Sequence, residues 1–475
     1  MKKHNTLKVV LLTILILLVL TWLLPAAYFQ TSYVSQGRVQ MGLFDLFSYP
    51  IMAVSYFGNI TIFVLVVGAF YAILNKIGVY RVILDKIVKK FKGKENILLS
   101  TLMVIIAVLV SFSGIQIPII ALFPFVIALV LLMGYDKLVA ASTVVGASVV
   151  GLAGNTFAYN LSSVLVQSLS IKVTSEIYSK LVILVLGLVL LIYNTLAYAK
   201  KSKKDNKAKA KAKTTKVLFK IEDFVPEEVK VSKKTKVWPL VVILDLLLLV
   251  VVLSFISWSG AFNISLFDDV NTAVTGFKIA KFALFGKLLG TTTAFGSWTM
   301  NSIITVFIVA AALIGWIYKI KFDEFVQAVI DGSKRALKPA IIIILIYTCL
   351  VITTYHPFQL VIYKWLFGLT KGFNVVTTTF AAALAGLFNV EPMYAFQSAV
   401  PYLASLVNKT SYPVVAVIFQ AMYGLIMLVA PTSVILMTVL SYLNISYKEW
   451  LKYIWKLLLE LLVVFIIIFT VLVLI

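Results

Sequence analysis

Long unbroken runs of apolar residues recur from one end of this chain to the other, near 9–29, 52–75, 97–113, 116–133, 138–168, 178–199, 237–258, 302–318, 339–356, 374–388, 393–407, 412–440 and 457–475. A bilayer core about 30 Å thick takes roughly 20 apolar residues per helical crossing, so the runs have the right length. They are continuous rather than alternating, which selects helices over a barrel as the way to satisfy backbone polar groups in lipid. The pattern predicts an all-α polytopic membrane protein. Some of the runs must be half-crossings. Residues 97–168 are apolar almost throughout yet punctuated by Gly114, Pro118, Pro124, Gly134, Gly151 and Gly154, which predicts hairpins and broken helices. The first run, Val9 to Phe29, is longer than a signal-peptide core and is expected to be retained as the first helix.

One polar stretch interrupts the pattern. Residues 200–236 hold fourteen lysines and five acids, and read as a solvated linker between a first repeat, 1–199, and a second, 237–475. Each half runs through the same events: a helix, a long external segment, a helix ending in a basic amphipathic stretch, a proline-marked segment, and a polar break in a late helix. Pro124 precedes Asn155 by 31 residues, and Pro401 precedes Thr432 by 31. The breaks read GLAGNTFAYNLSS and LVAPTSVIL. Corresponding breaks in two halves point to a transporter site at the interface of inverted repeats.

With 61% hydrophobic and 13% charged residues, water is not the main solvent of this chain. The net charge of +23 would suggest nucleic acid in a soluble protein. Here the lysines gather at Lys76–Lys94, Lys200–Lys236 and Lys319–Lys338, whereas Gln30–Pro50 holds one basic residue, Arg38. That asymmetry predicts a cytoplasmic N-terminus and a cytoplasmic 200–236 loop in a plasma-membrane protein, with anionic lipid rather than nucleic acid at the basic face. Cys349 is the sole cysteine and leaves no intramolecular disulfide to form. No GxxxxGK[ST] motif is present, and two histidines with one cysteine do not make a metal or Cys/His catalytic cluster. The chain is read as no enzyme, without metal or cofactor, moved by gradients.

The segment LVAPTSVILMTVLSYLNISYKEWLKY resembles the carboxy-terminal signature of the YfcC-type carriers, the family that also contains basic amino acid antiporters and four-carbon dicarboxylate anaerobic carriers. LMGYDKLVAAS followed by GLAGNTF resembles that family's GYD and NPF-like segments, and TWLLPAAYF resembles its first helix. The resemblance implies two inverted repeats with re-entrant hairpins and broken helices, an elevator-type carrier, and by analogy a homodimer. It places Asn155 and Thr156 in the first unwound segment and Pro431, Thr432 and Ser433 in the second. The chain departs from the family where acids are common in the first hairpin, since it has Gly114-Ile115-Gln116-Ile117-Pro118 there. The polar stretch before PTS has become AMYGLIMLVA.

Unwinding at Asn155–Thr156 and Thr432–Ser433 frees backbone carbonyls for a coupling Na+ or H+ and aims helix N-termini at an anionic group. The same residues could instead bond their own backbone at a kink. Glu391, beside Pro392 in the second hairpin, either meets a cationic group or sits at a wet hairpin mouth. Gln116, Gln397 and Gln420 offer amides as donors and acceptors. Asp136 reads as a helix cap, Asp245 and Glu460 as membrane-edge or paired charges, and His356 as a satisfied interface residue before a proton relay. AAALAG, Ala381–Gly386, reads as close helix packing. The functional expectation is a secondary transporter of a small polar solute, first an amino acid in arginine/ornithine-type exchange. A four-carbon dicarboxylate is the alternative, and a transporter-like scaffold without transport the alternative of another class.

Overall fold

The structure, a computed structural model, describes residues 5–211, 224–226, 235–279, 281–290, 292–370 and 372–474. In the first half, α1 (Asn5–Leu23) leads through a two-stranded hairpin, β1 (Ala26–Phe29) and β2 (Tyr33–Gly37), to α2 (Asp45–Lys76) and the amphipathic α3 (Val79–Lys90). Then come α4 (Glu95–Ser113), a 3-10 turn at Pro118–Leu122, α5 (Phe123–Leu132) and α6 (Lys137–Ala141), which passes through a π-turn into α7 (Ala147–Ala153). The half closes with α8 (Tyr159–Leu169) and α9 (Ile177–Lys211).

The second half opens with α10 (Trp238–Phe255). The short α11 (Trp258–Phe262), α12 (Leu266–Gly276), the strands β3 (Lys278–Ile279) and β4 (Phe282–Ala283), and α13 (Leu284–Leu289) form one excursion. The chain returns in α14 (Met300–Ile317), α15 (Phe322–Tyr355), α16 (Gln359–Gly368), α17 (Val375–Phe388) and α18 (Pro392–Ala404), and ends in α19 (Tyr412–Ile426), α20 (Val434–Leu443) and α21 (Tyr447–Leu474). Among the described residues, eight helices are long and apolar enough to cross a membrane: α1, α2, α4, α9, α10, α14, α15 and α21. The chain is therefore a multi-pass, all-helical membrane protein.

Three boundaries differ from the hydrophobic pattern. The first run, expected as helix to Phe29, stops at Leu23, because Pro25 cannot carry the helix on and Ala26–Phe29 pairs with Tyr33–Gly37 instead. The amphipathic stretch before Pro339 and the span after it are one helix, α15, with Pro339 inside it; in a membrane interior neighbouring groups satisfy the carbonyl that proline leaves free. Residues 200–211, expected in the linker, continue α9, since alternating lysine and alanine are good helix formers. The rest of that linker, 212–223 and 227–234, lies outside the described residues.

α2 and α15 run antiparallel. Tyr49 Oη meets His356 Nε2 at 2.7 Å, Phe57 stacks on Tyr347 at 4.4 Å, and further along Gly68 faces Gly332 so closely that a Cβ on Gly68 would stand 2.6 Å from the Gly332 carbonyl. Small residues let the two backbones touch, which is how helices gain packing energy in lipid. His356 is satisfied on both sides, its Nδ1 lying 2.7 Å from the Val39 carbonyl oxygen.

This pairing brings the basic segments to one end. Arg81 of α3 donates to the Pro226 carbonyl, Ser202 of α9 donates to Asp136, Lys137 to the Leu443 carbonyl, and Lys338 to Asn444. Tyr447 N donates to the Asn5 side chain, so the N-terminal helix starts at the same end. Asp136 caps α6 by accepting from Val139 N at 3.0 Å, the capping role its position suggested. Glu460 pairs with Lys456 at 3.5 Å and accepts from Asn194.

Candidate functional site

Two helical hairpins point their tips at one another. In hairpin 1, α4 ends at Gly114, whose φ of +71 suits a residue without Cβ. The chain reverses through Ile115-Gln116-Ile117 and returns in α5. Tyr135 Oη donates to Asn96 Oδ1 at 2.7 Å and closes the hairpin's open base at the basic end. In hairpin 2, α17 runs to Asn389, the tip is Asn389-Val390-Glu391, and Pro392 starts α18 at the first helical position that tolerates it. Hairpin 2 has its base at the opposite end: Tyr402 of α18 packs on Phe29 and Tyr33, beyond the far end of α1.

A break accompanies each hairpin. After α7, Asn155 folds the chain by accepting from Ala158 N at 3.0 Å and donating to the Ala158 carbonyl at 3.2 Å, and α8 begins. Gly154 is required by proximity, since a Cβ there would stand 2.7 Å from Leu184 Cα. Thr156 N and Oγ1 both donate to the Ser111 carbonyl, at 3.0 and 3.2 Å, and Ser111 Oγ donates to the Gly154 carbonyl at 2.6 Å. Break 1 is thus stitched to the rising arm of hairpin 1. After α19 the second break runs through Met427–Ser433. Thr432 Oγ1 donates to the Leu387 carbonyl at 2.9 Å, near the tip of hairpin 2, and Ser433 caps α20 by accepting from Leu436 N at 3.3 Å.

Helix α19 joins these parts. Gln420 Nε2 donates to the Asn155 carbonyl at 2.6 Å. One turn on, Tyr423 Oη accepts from Gln116 Nε2 at 3.0 Å and donates to the Val390 carbonyl at 2.8 Å, so one hydroxyl bridges both tips. Gln420 and Tyr423 are buried, as are Gln116, Asn155, Thr156, Thr432 and Ser433. In this closed arrangement the polar atoms satisfy one another, as buried groups in an apolar surround must.

Of the residues singled out from sequence, Asn155, Thr156, Gln116, Gln420, Thr432 and Ser433 belong to this cluster or cap a helix at it. Pro431 is half-buried within the second break. Glu391 is at the tip of hairpin 2, where Tyr347 of α15 donates to its Oε1. Gln397 stands apart: it is on the exposed side of α18, one residue from the buried Phe396 and so turned about a quarter-circle away. Sequence reasoning missed Tyr423, Ser111 and Tyr347. The signal for Tyr423 was a lone hydroxyl-bearing ring next to a glycine in AMYGLIMLVA.

A 29% identical match to an uncharacterized protein of Haemophilus influenzae spans 149 residues, 31% of this chain and 29% of the relative. The YdaH transporter of Alcanivorax borkumensis superposes over 98% of both chains at 15% identity and a TM-score of 0.45. MtrF of Neisseria gonorrhoeae, described in a class of antimetabolite efflux pumps, does so over 98% of this chain and 94% of its own, at 12% identity and a TM-score of 0.38. The profile of DcuC, the C4-dicarboxylate anaerobic carriers, matches residues 4–474, and the chain belongs to that family.

Proposed function

We propose that the protein is a gradient-driven carrier of a four-carbon dicarboxylate, binding it where the two hairpin tips and two breaks meet. The observation that carries this is the bridge at Tyr423. A single hydroxyl ties Gln116 of one tip to Val390 of the other, beside breaks from which α8 and α20 start. Each helix start offers the positive end of a dipole and first-turn N–H groups beyond the Leu161 and Leu436 amides already taken by Asn160 and Ser433, so two starts suit the two carboxylates of a short diacid. Gln116 and Tyr423 are the groups that would exchange their mutual hydrogen bond for one to the substrate. The hairpins enter from opposite ends, which supports an inverted relation between the halves and access from alternate sides. The basic segments gathered at one end support a cytoplasmic N-terminus.

The family description favours the diacid over arginine/ornithine-type exchange, and Glu391, already engaged by Tyr347, gives no separate support for a cationic substrate. The test is counterflow in proteoliposomes. Labelled succinate is expected to exchange against unlabelled succinate or fumarate, without competition from arginine or ornithine. Arginine movement without diacid movement would overturn the reading. Folded protein that moves neither class would return the chain to the scaffold alternative. Imposed Na+ and proton gradients in the same vesicles identify the coupling ion.

A further inference from the structure

Behind hairpin 1, on the side away from Tyr423, lies a cavity of about 280 Å³ between α2, α3, α10 and α14. Its wall is aromatic and aliphatic, with Phe70, Tyr71, Tyr80, Phe125 and Phe307 contributing rings. Tyr71 spends its hydroxyl on the Ala121 carbonyl at 2.8 Å, but the buried hydroxyl of Tyr80 has no partner among the described residues.

Asp245 is the one acid in the wall, and it is exposed, so it stands at the mouth. It is the eighth residue of α10, about 10 Å along the axis from Trp238, which puts its carboxylate within an apolar span. Among the described residues it makes no ion pair. Of the four cations on the neighbouring α3, Arg81 is committed to Asp85 at 3.0 Å and to the Pro226 carbonyl at 2.7 Å, and Lys86, Lys89 and Lys90 make no ion pair with Asp245. An acid at such depth is costly without a positive partner, and an apolar chamber lined by ring faces adds attraction for a cation of low hydration.

We propose that this cavity binds a lipophilic monocation, with the apolar body among the rings and the positive charge at Asp245. The wall also includes Ile115 and Pro118, which flank Gln116, so an occupant would brace the back of hairpin 1. The binding claim stands apart from the transport reading and is tested without transport.

The probe is labelled tetraphenylphosphonium, measured by equilibrium dialysis against the full chain in lipid nanodiscs, with empty nanodiscs as background. Tetraphenylborate, close in shape and opposite in charge, is the control. One saturable cation site per chain is expected, with no saturable site for the anion. Asp245→Asn is expected to weaken cation binding by at least about tenfold, and Leu244→Trp, which fills the chamber and keeps the acid, to weaken it comparably. Asp245→Asn removes a charge from an apolar span and should leave folding intact, which a monodisperse elution profile checks. The proposal is overturned if the wild-type chain binds no more cation than empty nanodiscs, or if the anion saturates with equal affinity. It is also overturned if Asp245→Asn binds the cation as the wild type does, because shape alone, as for a neutral lipid, would then account for occupancy.

Discussion

At the first break Gly154 and Thr156 make a closed set of bonds with Ser111 on the rising arm of hairpin 1, and at the second a single hydroxyl, Thr432, reaches hairpin 2. The same inequality appears on the two sides of α19. Toward α7, a Cβ on Gly424 would stand 2.4 Å from Ala153 N and 2.6 Å from its Cα; toward α17, a Cβ on Gly386 would stand 3.4 Å from Tyr423 Cα. Backbone lies on backbone on the first side, and ordinary clearance separates the second. Break 1 is therefore locked to the rising arm of hairpin 1 and to α19 by close backbone and several hydrogen bonds, whereas hairpin 2, whose α17 lies along α19, meets it at looser clearance and reaches break 2 through one side-chain bond. A carrier needs both properties, a fixed set of ligands and one wall that can leave.

The largest effect should come from closing that contrast by force. Gly424→Ala has no flexible side chain to displace and is expected to cost about 3 kcal/mol, at the upper end for overpacking, whereas Gly386→Ala should cost less than about 1 kcal/mol. Thermal unfolding of the two purified variants in detergent checks this. Equal losses would erase the distinction between the two sides of α19.

Next is the bridge itself. Tyr423→Phe keeps the ring, which packs edge-on to Phe396 at 5.8 Å, but orphans Gln116 and the Val390 carbonyl. A loss of about 10- to 100-fold in succinate transport is expected, from one or two unmade buried hydrogen bonds. Gln116→Ala, which leaves Tyr423 donating to Val390, should lose less. If Gln116→Ala is the more damaging, the glutamine meets the substrate and the tyrosine only supports it.

The breaks can be compared in the same way. Ser111→Ala removes a buried donor from Gly154 and should destabilise by about 2 kcal/mol, while Thr432→Val removes the single tie to Leu387 and should cost about 1 kcal/mol. The second is expected to show more in transport than in stability, since it releases hairpin 2 from break 2. A Thr432→Val protein that melts lower than Ser111→Ala would reverse the assignment of fixed and movable parts.

Much of this was legible in the sequence, and what was not has a physical cause. Continuous apolar runs gave the membrane helices, and the polar residues within them, Asn155, Thr156, Thr432 and Ser433, marked the breaks because an unpaired polar group in lipid needs a local reason. Tyr423 escaped notice because its partners are a glutamine 307 positions away and a backbone carbonyl, which no side-chain pattern records. Gln397 was over-read for the complementary reason: an amide in a hairpin looks functional until helix geometry turns it outward beside Phe396. The early stop of α1 was written in Pro25, yet the surrounding hydrophobicity outweighed it.

The smallest effect expected is also the one that separates the two substrate classes. Glu391 is at the tip of the looser hairpin, and its carboxylate accepts from Tyr347 on α15 rather than from any group of the break. For a diacid, Glu391→Gln removes a like charge and keeps an acceptor for Tyr347, so the KM for succinate should change by no more than about threefold. A cationic substrate paired with that carboxylate would lose at least about tenfold, since about 1.4 kcal/mol of charge pairing is worth a factor of ten. Initial-rate uptake of succinate and of arginine into matched proteoliposomes distinguishes them. A large rise in the succinate KM would place Glu391 among the substrate's ligands and make hairpin 2, not hairpin 1, the side that reads the solute.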